Sequence, residues 1–269
     1  CVTEEQLSKL TEISRYISEV ANMPPYGLQP YVGVSAFSHK GGLHASGIAK
    51  VEASYQHIPP ERVGNIKRVV ISELSGRSNI LHKLEELGLS NLVPKEEAPK
   101  ILDMIKIQES KGFQYEGAEA SFELMVRRLL PNYAPSFELI DYMVIIEKDR
   151  RSSSSDDDGI LSEATVKVRV GSEVVHTIAE GNGPVNALDN ALRKSLIQFY
   201  PSIESIRLVD FKVRVVDQGT GTGAIVRVLI ESMDGEKIWS TVGSSGNIIE
   251  ASWFALADSL EYYLNNHKI

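Results

Sequence analysis

Two periodicities divide the chain. In the first half, apolar side chains return every three to four residues: Leu7, Leu10, Ile13, Ile17 and Val20 form one such stripe, the spacing of a helix with a single apolar face. Thr3 is placed to cap it, with Glu4 and Glu5 in the first turn, where acids meet the positive helix end. Met23-Pro24-Pro25 ends it, because a residue before proline is pushed out of the helical region. Further stripes run through Ile80, Leu81, Leu84 and Leu87, with Gly88 as the stop; through Ile101, Met104, Ile105 and Gln108; and through Phe122, Met125, Val126 and Leu129, with Pro131 ending the last. Between Gln29 and Arg68, Gly and Pro interrupt the chain and little periodicity survives.

After Pro131 the period drops to two. Phe137–Glu147 is rich in β-formers, Thr165–Val170 alternates strictly, and Val174–Ala179 makes a third short strand. A helical stripe follows at Val185, Leu188, Ala191, Leu192 and Leu196. The order then recurs. Leu208-Val-Asp-Phe-Lys-Val-Arg-Val-Val216 resembles Leu139-Ile-Asp-Tyr-Met-Val-Ile-Ile-Glu147, and Ala255-Leu-Ala-Asp-Ser-Leu260 resembles Ala191-Leu-Arg-Lys-Ser-Leu196. The strand offset is 69 and the helix offset 64. A longer first loop at 150–159, polar throughout and expected to be mobile, accounts for the difference. The expected fold is therefore α+β: a helix over 1–30, a mainly helical segment over 31–131, and a domain over 132–269 built from two βββα units, about 136–200 and 205–265. One helix covers one face of each sheet, and such paired units favour a two-fold dimer.

Composition narrows the function. The 269 residues are 42% apolar and 24% charged, a globular balance that excludes wholesale disorder. The net charge of −8 argues against nucleic acid, which demands a basic face. Charge is uneven: residues 1–134 hold 15 Lys+Arg and 16 Asp+Glu, leaving 13 and 20 for the rest. Cys1 is the single cysteine, which excludes a disulfide framework and a Cys-based zinc site. No apolar run has the length of a membrane span and no signal peptide is visible, so a cytoplasmic setting is expected. The chain opens Cys-Val-Thr rather than with methionine, which points to a processed start or to a piece of a longer protein.

Few motifs carry chemistry. Gly219-Thr-Gly-Thr-Gly-Ala224 has dinucleotide-type glycines, but Ile225–Ile230 reads as a strand where the fingerprint needs a helix. His39 and His44 flank Gly41-Gly42 at a spacing that is not the i,i+4 of a helical metal pair; structural loop histidines and a catalytic histidine both fit. Ser75-Gly-Arg-Ser-Asn79 reads either as a helix cap or as a phosphate-binding helix start. Both repeat helices begin in small-residue loops, Glu180-Gly-Asn-Gly-Pro184 and Gly243-Ser-Ser-Gly-Asn247. Exposed N–H groups there can hold a carboxylate or phosphate, or simply cap a tight turn. No metal site is expected in this chain.

Three longer stretches are more specific. Pro30-Tyr-Val-Gly-Val-Ser-Ala-Phe-Ser-His-Lys-Gly-Gly-Leu-His-Ala-Ser-Gly47, Tyr55-Gln-His-Ile-Pro-Pro-Glu-Arg-Val-Gly64 and Ser72-Glu-Leu-Ser-Gly-Arg-Ser-Asn-Ile80 resemble the region after the barrel in the 2-isopropylmalate/citramalate/homocitrate synthase family, most closely its citramalate branch. The duplicated βββα segment resembles that family's C-terminal allosteric and dimerisation domain. The resemblance implies an acyltransferase in branched-chain amino acid biosynthesis. Its barrel, absent here, holds a divalent metal, acetyl-CoA and a 2-oxo acid (pyruvate in the citramalate branch). It further implies a homodimer in which His44 assists proton transfer and Tyr55 hydrogen-bonds the reacting groups. The implied effector is isoleucine, or leucine in the isopropylmalate branch. Backbone groups of Gly181, Asn182, Gly183 and Pro184 and of Gly243, Ser244, Ser245, Gly246 and Asn247 would hold its charged ends, with Val185, Leu188 and Ile248 around its side chain. This chain alone is expected to be inactive. A free-standing amino-acid sensor and a plain dimerisation domain are the competing readings.

Overall fold

A computed structural model describes residues 2–21, 23, 25–33, 35–39, 47, 51, 58–66, 68–69, 77–148, 160–216, 221–235 and 237–267. The chain forms two units, Cys1–Ile107 and Gln108–Ile269.

In the first unit, α1 (Glu4–Ser8) opens with a capping box: Gln6 N–H donates to Thr3 Oγ1, and Thr3 N–H donates to Gln6 Oε1. Helix α2 (Leu10–Val20) follows directly. Its apolar stripe is open, with Ile13 47%, Ile17 59% and Val20 69% exposed. One residue on the other side, Thr11, is buried and donates to Val63 O at 2.7 Å. Strands β1 (Ser38–His39) and β2 (Arg68–Val69) pair in parallel. Helix α3 (Arg77–Glu86) ends where Gly88 takes φ +68°, Leu89 N–H reaching Leu84 O and Gly88 N–H reaching Glu85 O. That is the paired-bond stop the sequence implied for Gly88. Helix α4 (Ala98–Ser110) buries Ile101 and Ile105.

In the second unit, α5 (Glu119–Arg127) is buried from Ala120 to Val126. Then come β3 (Glu138–Lys148), β4 (Ile160–Val170), β5 (Glu173–Gly181) and α6 (Pro184–Leu196), followed by β6 (Arg207–Val215), β7 (Val226–Met233), β8 (Ile238–Ser245) and α7 (Ile248–Asn266). Each triplet is an antiparallel sheet with the middle strand central. The central strands show why. Ala164, Val166 and Val168 alternate with half-exposed residues and pack against Leu188, Ala191 and Leu192, while Val228 and Ile230 pack against Ala251, Ala255 and Leu256.

The duplication reaches single hydrogen bonds. Thr177 Oγ1 donates to Ala191 O at 2.7 Å, and Thr241 Oγ1 donates to Ala255 O at 2.8 Å, pairs related by the helix offset of 64. The edge strands bulge at Leu139/Asp141 and at Leu208/Asp210, related by the strand offset of 69. The 150–159 loop lies outside the described residues. Of the glycine run, Gly221–Gly223 lie among the described residues; they make one tight turn that leads into β7 rather than into a helix.

Strand β8 lies at a sheet edge, where unpaired amides invite association. Helix α5 covers it: Val242 N–H donates to Ser121 Oγ at 3.0 Å, and Ser121 Oγ donates to Asp258 Oδ2 at 2.7 Å. Arg128 Nη2 meets Asp258 Oδ1 at 2.6 Å. Glu261, also on α7, accepts from Tyr133 Oη and from Ser136 N–H. The segment before the repeats is thus clamped to α7. The first-repeat equivalents of Asp258 and Glu261 are Lys194 on α6 and Ile197 just past its end.

Candidate functional site

The two repeat-helix starts share a neighbourhood. Val185, in the first turn of α6, packs against the cluster containing Ala251 of α7. Gly243 lies beneath that same residue: a Cβ there would sit 1.9 Å from Ala251 O. Glycine at 243 is therefore a condition for α7 to cross β8 at this depth. This also corrects the expected loop at Gly243–Asn247, since β8 continues through Ser245. Gly243 is buried within the strand, and Ser244 is held by its hydroxyl donating to Lys111 O at 3.0 Å. Gly181 is similar, its Cβ position lying 2.3 Å from Ala187 N.

The starts differ in chemistry. At α7, Asn247 Oδ1 accepts from Ile249 N–H at 2.8 Å, Ser245 Oγ accepts from Asn247 N–H, and Glu250 Oε2 accepts from Ser245 Oγ. Its own side chains already serve the positive end. At α6, Gly183 is an extended N-cap with no side-chain hydrogen bond, Pro184 follows, and the first turn has no acid. Asn182 N–H donates to Asn186 Oδ1 at 3.1 Å, and Ala187 N–H to Gly183 O. A Cβ at Gly183 would meet nothing within 4 Å. The α6 start is thus the one suited to an incoming carboxylate. Leu188 is fully buried in the main core, Val185 is half-buried, and Ile248 is 43% exposed.

Three side chains escaped the sequence reading. Tyr142 of β3 stacks on Trp253 of α7 with ring centroids 5.5 Å apart, and burial followed by the Glu250 charge raises its phenol above the ordinary value. Asp189, at the Trp253-equivalent position of α6, is bound by Arg193 Nε at 2.9 Å, and burial raises its carboxyl against the pull of Arg193. Only the pairing of the two repeats makes the first of these contacts, so no local motif announces it.

His44 and Tyr55 lie outside the described residues. Arg77 opens α3 and donates to Lys95 O at 3.2 Å, a structural tie. Among the described residues no group of three or more His, Cys, Asp and Glu could hold a metal ion, and no helix is long and apolar enough to cross a membrane.

Residues 116–264 match the LeuA allosteric (dimerisation) domain, and residues 31–112 match the homocitrate synthase post-HMGL domain-like family. The chain is 51% identical, over its full length, to an (R)-citramalate synthase of Geobacter sulfurreducens, covering 50% of that protein. It is 47% identical over 98% of its length to an (R)-citramalate synthase of Aquifex aeolicus, covering 49% of it. A 2-isopropylmalate synthase of Pseudoalteromonas atlantica is 29% identical over 96% of the chain, which covers 45% of that protein. The chain spans about half the length of the curated relatives it matches.

Proposed function

The chain belongs to the LeuA allosteric (dimerisation) domain family, and from that premise we propose that it is the linker and regulatory part of a cytoplasmic, homodimeric (R)-citramalate synthase. The observation that carries this reading is the margin in identity, 51% to one (R)-citramalate synthase against 29% to a 2-isopropylmalate synthase. In the whole protein the acetyl group of acetyl-CoA adds through its methyl carbon to the ketone of pyruvate, and water releases CoA from the thioester. A divalent metal held by the remainder of the protein supplies Lewis-acid polarisation of the 2-oxo acid. From this chain, His44 moves a proton near the reacting groups and Tyr55 donates to developing oxyanion charge.

The regulatory half binds isoleucine at the paired helix starts. Its carboxylate meets the uncapped α6 end beside Gly181–Pro184, where the Gly183 N–H, the N–H groups of the first helical turn and the helix dipole favour an anion. Val185 and Ile248 form the apolar side, with Leu188 packed behind them in the core, and Ser245–Asn247 close the second edge, carried by Gly243 and Ser244 at the buried end of β8. Choosing isoleucine over leucine rests on the position of a methyl group, a discrimination of ~1–3 kcal/mol.

The test is CoA release by the whole protein from acetyl-CoA with pyruvate, with and without isoleucine. Pyruvate-dependent release, suppressed by isoleucine more than by leucine, is the expected result. Release without pyruvate dependence, or a stronger effect of leucine, contradicts the assignment.

A further inference from the structure

The chain leaving α4 is tied to the strand end that also shapes the α7 start. Residues 111–115 form neither helix nor strand, yet Gly112 and Tyr115 are buried. Lys111 O accepts from Ser244 Oγ at 3.0 Å. Gly112 O accepts from Arg227 Nε at 2.6 Å, and Gln114 Oε1 accepts from Arg227 Nη1. Gly112 takes φ +93°, and a Cβ there would sit 2.4 Å from Ser244 Oγ and 2.8 Å from Ile225 Cγ2. This strap therefore lies directly on the β7–β8 pair, at a depth that glycine permits. Phe113 meets Phe254 of α7 with ring centroids 6.3 Å apart, and Glu109 in the last turn of α4 attracts the half-buried Arg227.

Ser244 holds the strap. Ser245, the next residue on β8, donates to Glu250 and accepts from Asn247 N–H at the α7 start. Phe254 lies one turn beyond Glu250 on the same helix. A shift of the β8 end or of the first turns of α7 is thus felt by both the proposed ligand edge and the strap. The first repeat lacks these donors. The equivalents of Arg227 and Ser244, at the offset of 64, are Glu163 and Glu180. Each pair faces across its strands, Arg227 with Ser244 and Glu163 with Glu180. Carboxylates offer no donor to the carbonyls of a strap, so the tie is confined to the α7 side.

We infer that the 111–115 strap is the joint through which ligand occupancy at the α7 start is passed to the rest of the chain. An amino acid that fixes Ser245–Asn247 fixes the end of β8 and the first turns of α7. Ser244, Arg227 and Phe254 then steady the strap, and with it α4, which begins in the first unit and ends in the second. Coupling is reciprocal, so a strap that reads the ligand is itself ordered when the ligand binds. This rests on the effector reading above, and the experiment separates the two.

Hydrogen exchange read by mass spectrometry on this chain, with and without isoleucine, follows the strap directly. Gly112 N–H and Phe113 N–H are bonded to Glu109 O and Gln108 O, so their exchange reports opening of the strap. Isoleucine should slow exchange across 111–115 by about threefold or more, alongside the helix starts. Arg227→Met removes two of the bonds that hold the strap while keeping an unbranched stem, and circular dichroism checks its folding. It should bind isoleucine within about threefold of wild type by calorimetry, lose the strap protection, and in the whole protein resist inhibition by saturating isoleucine. No binding heat with the wild-type chain overturns the effector reading and this inference with it. Binding heat with protection confined to the helix starts overturns the joint and leaves the effector reading standing. An Arg227→Met chain that keeps strap protection and full inhibition likewise overturns the joint alone.

Discussion

Tyr142 and Trp253, one from each βββα unit, stack with ring centroids 5.5 Å apart and planes inclined by 21°. The contact ties the edge of the first sheet to the helix of the second, beside the α7 start. Trp253 is 4% exposed, so Trp253→Ala opens a cavity between the repeats and should cost about 3–5 kcal/mol, whereas Trp253→Phe should keep most of the stability. Urea unfolding of the two variants checks this. An alanine variant as stable as wild type would show that the repeats do not depend on this ring pair.

A second contact, between α7 and the residues before the repeats, has a pH signature. Burial pushes the Asp258 carboxyl above the usual carboxylate value, while the Arg128 guanidinium and the Ser121 hydroxyl pull it back. Arg128→Ala removes the larger of those opposing influences and should cost about 3 kcal/mol by leaving a buried carboxylate without its cation. The native pKa then lies further above the unfolded value. A group of that kind contributes stability that is present below its unfolded pKa and is lost as pH rises through its native one. The variant should therefore lose less relative to wild type at about pH 4.5 than at about pH 7.5. A deficit that is flat with pH, or larger in acid, counts against the assignment.

Gly183, the cap of α6, and Gly243, inside β8 beneath α7, should respond oppositely to a side chain. At Gly183 the backbone is extended and a Cβ has open space, so Gly183→Val should fold normally while blocking the α6 start and weakening isoleucine binding at least tenfold, which calorimetry reads. At Gly243 the Cβ would meet the Ala251 carbonyl, so Gly243→Ala should lower stability by about 1–3 kcal/mol through overpacking. Normal binding by Gly183→Val would reduce that loop to a plain turn.

In the whole protein, His44→Ala or Tyr55→Phe should lower kcat by about a hundredfold, the scale of one proton-transfer or oxyanion contact, and leave isoleucine affinity unchanged. Steady-state turnover together with an effector titration separates the two effects. Unaltered kcat removes both residues from the chemistry.

Much of the second unit was legible because its signals are local. Val166, Val168 and Val170 alternate, Leu188, Ala191 and Leu192 share a helix face, and Leu139–Glu147 reappears at Leu208–Val216. The capped start at Thr3 and the stop at Gly88 were equally plain. The end of β8 was misjudged because glycine and two serines read as a loop, whereas Gly243 is small so that α7 can cross and Ser244 is tied to Lys111 O. Tyr142 against Trp253, and Asp258 beneath Ser121 and Arg128, depend on residues more than a hundred positions apart. No periodicity encodes such pairs. The unlike capping of α6 and α7 was half visible, since Asn247 is a known cap residue, but the Glu250–Ser245 bond that completes it is a tertiary detail.

The most direct test of the account is calorimetric titration of this chain with isoleucine and, in parallel, with leucine. The account predicts saturable heat with isoleucine, weaker binding of leucine, and loss of the isoleucine signal in Gly183→Val. No heat with either amino acid, or preference for leucine, would contradict it.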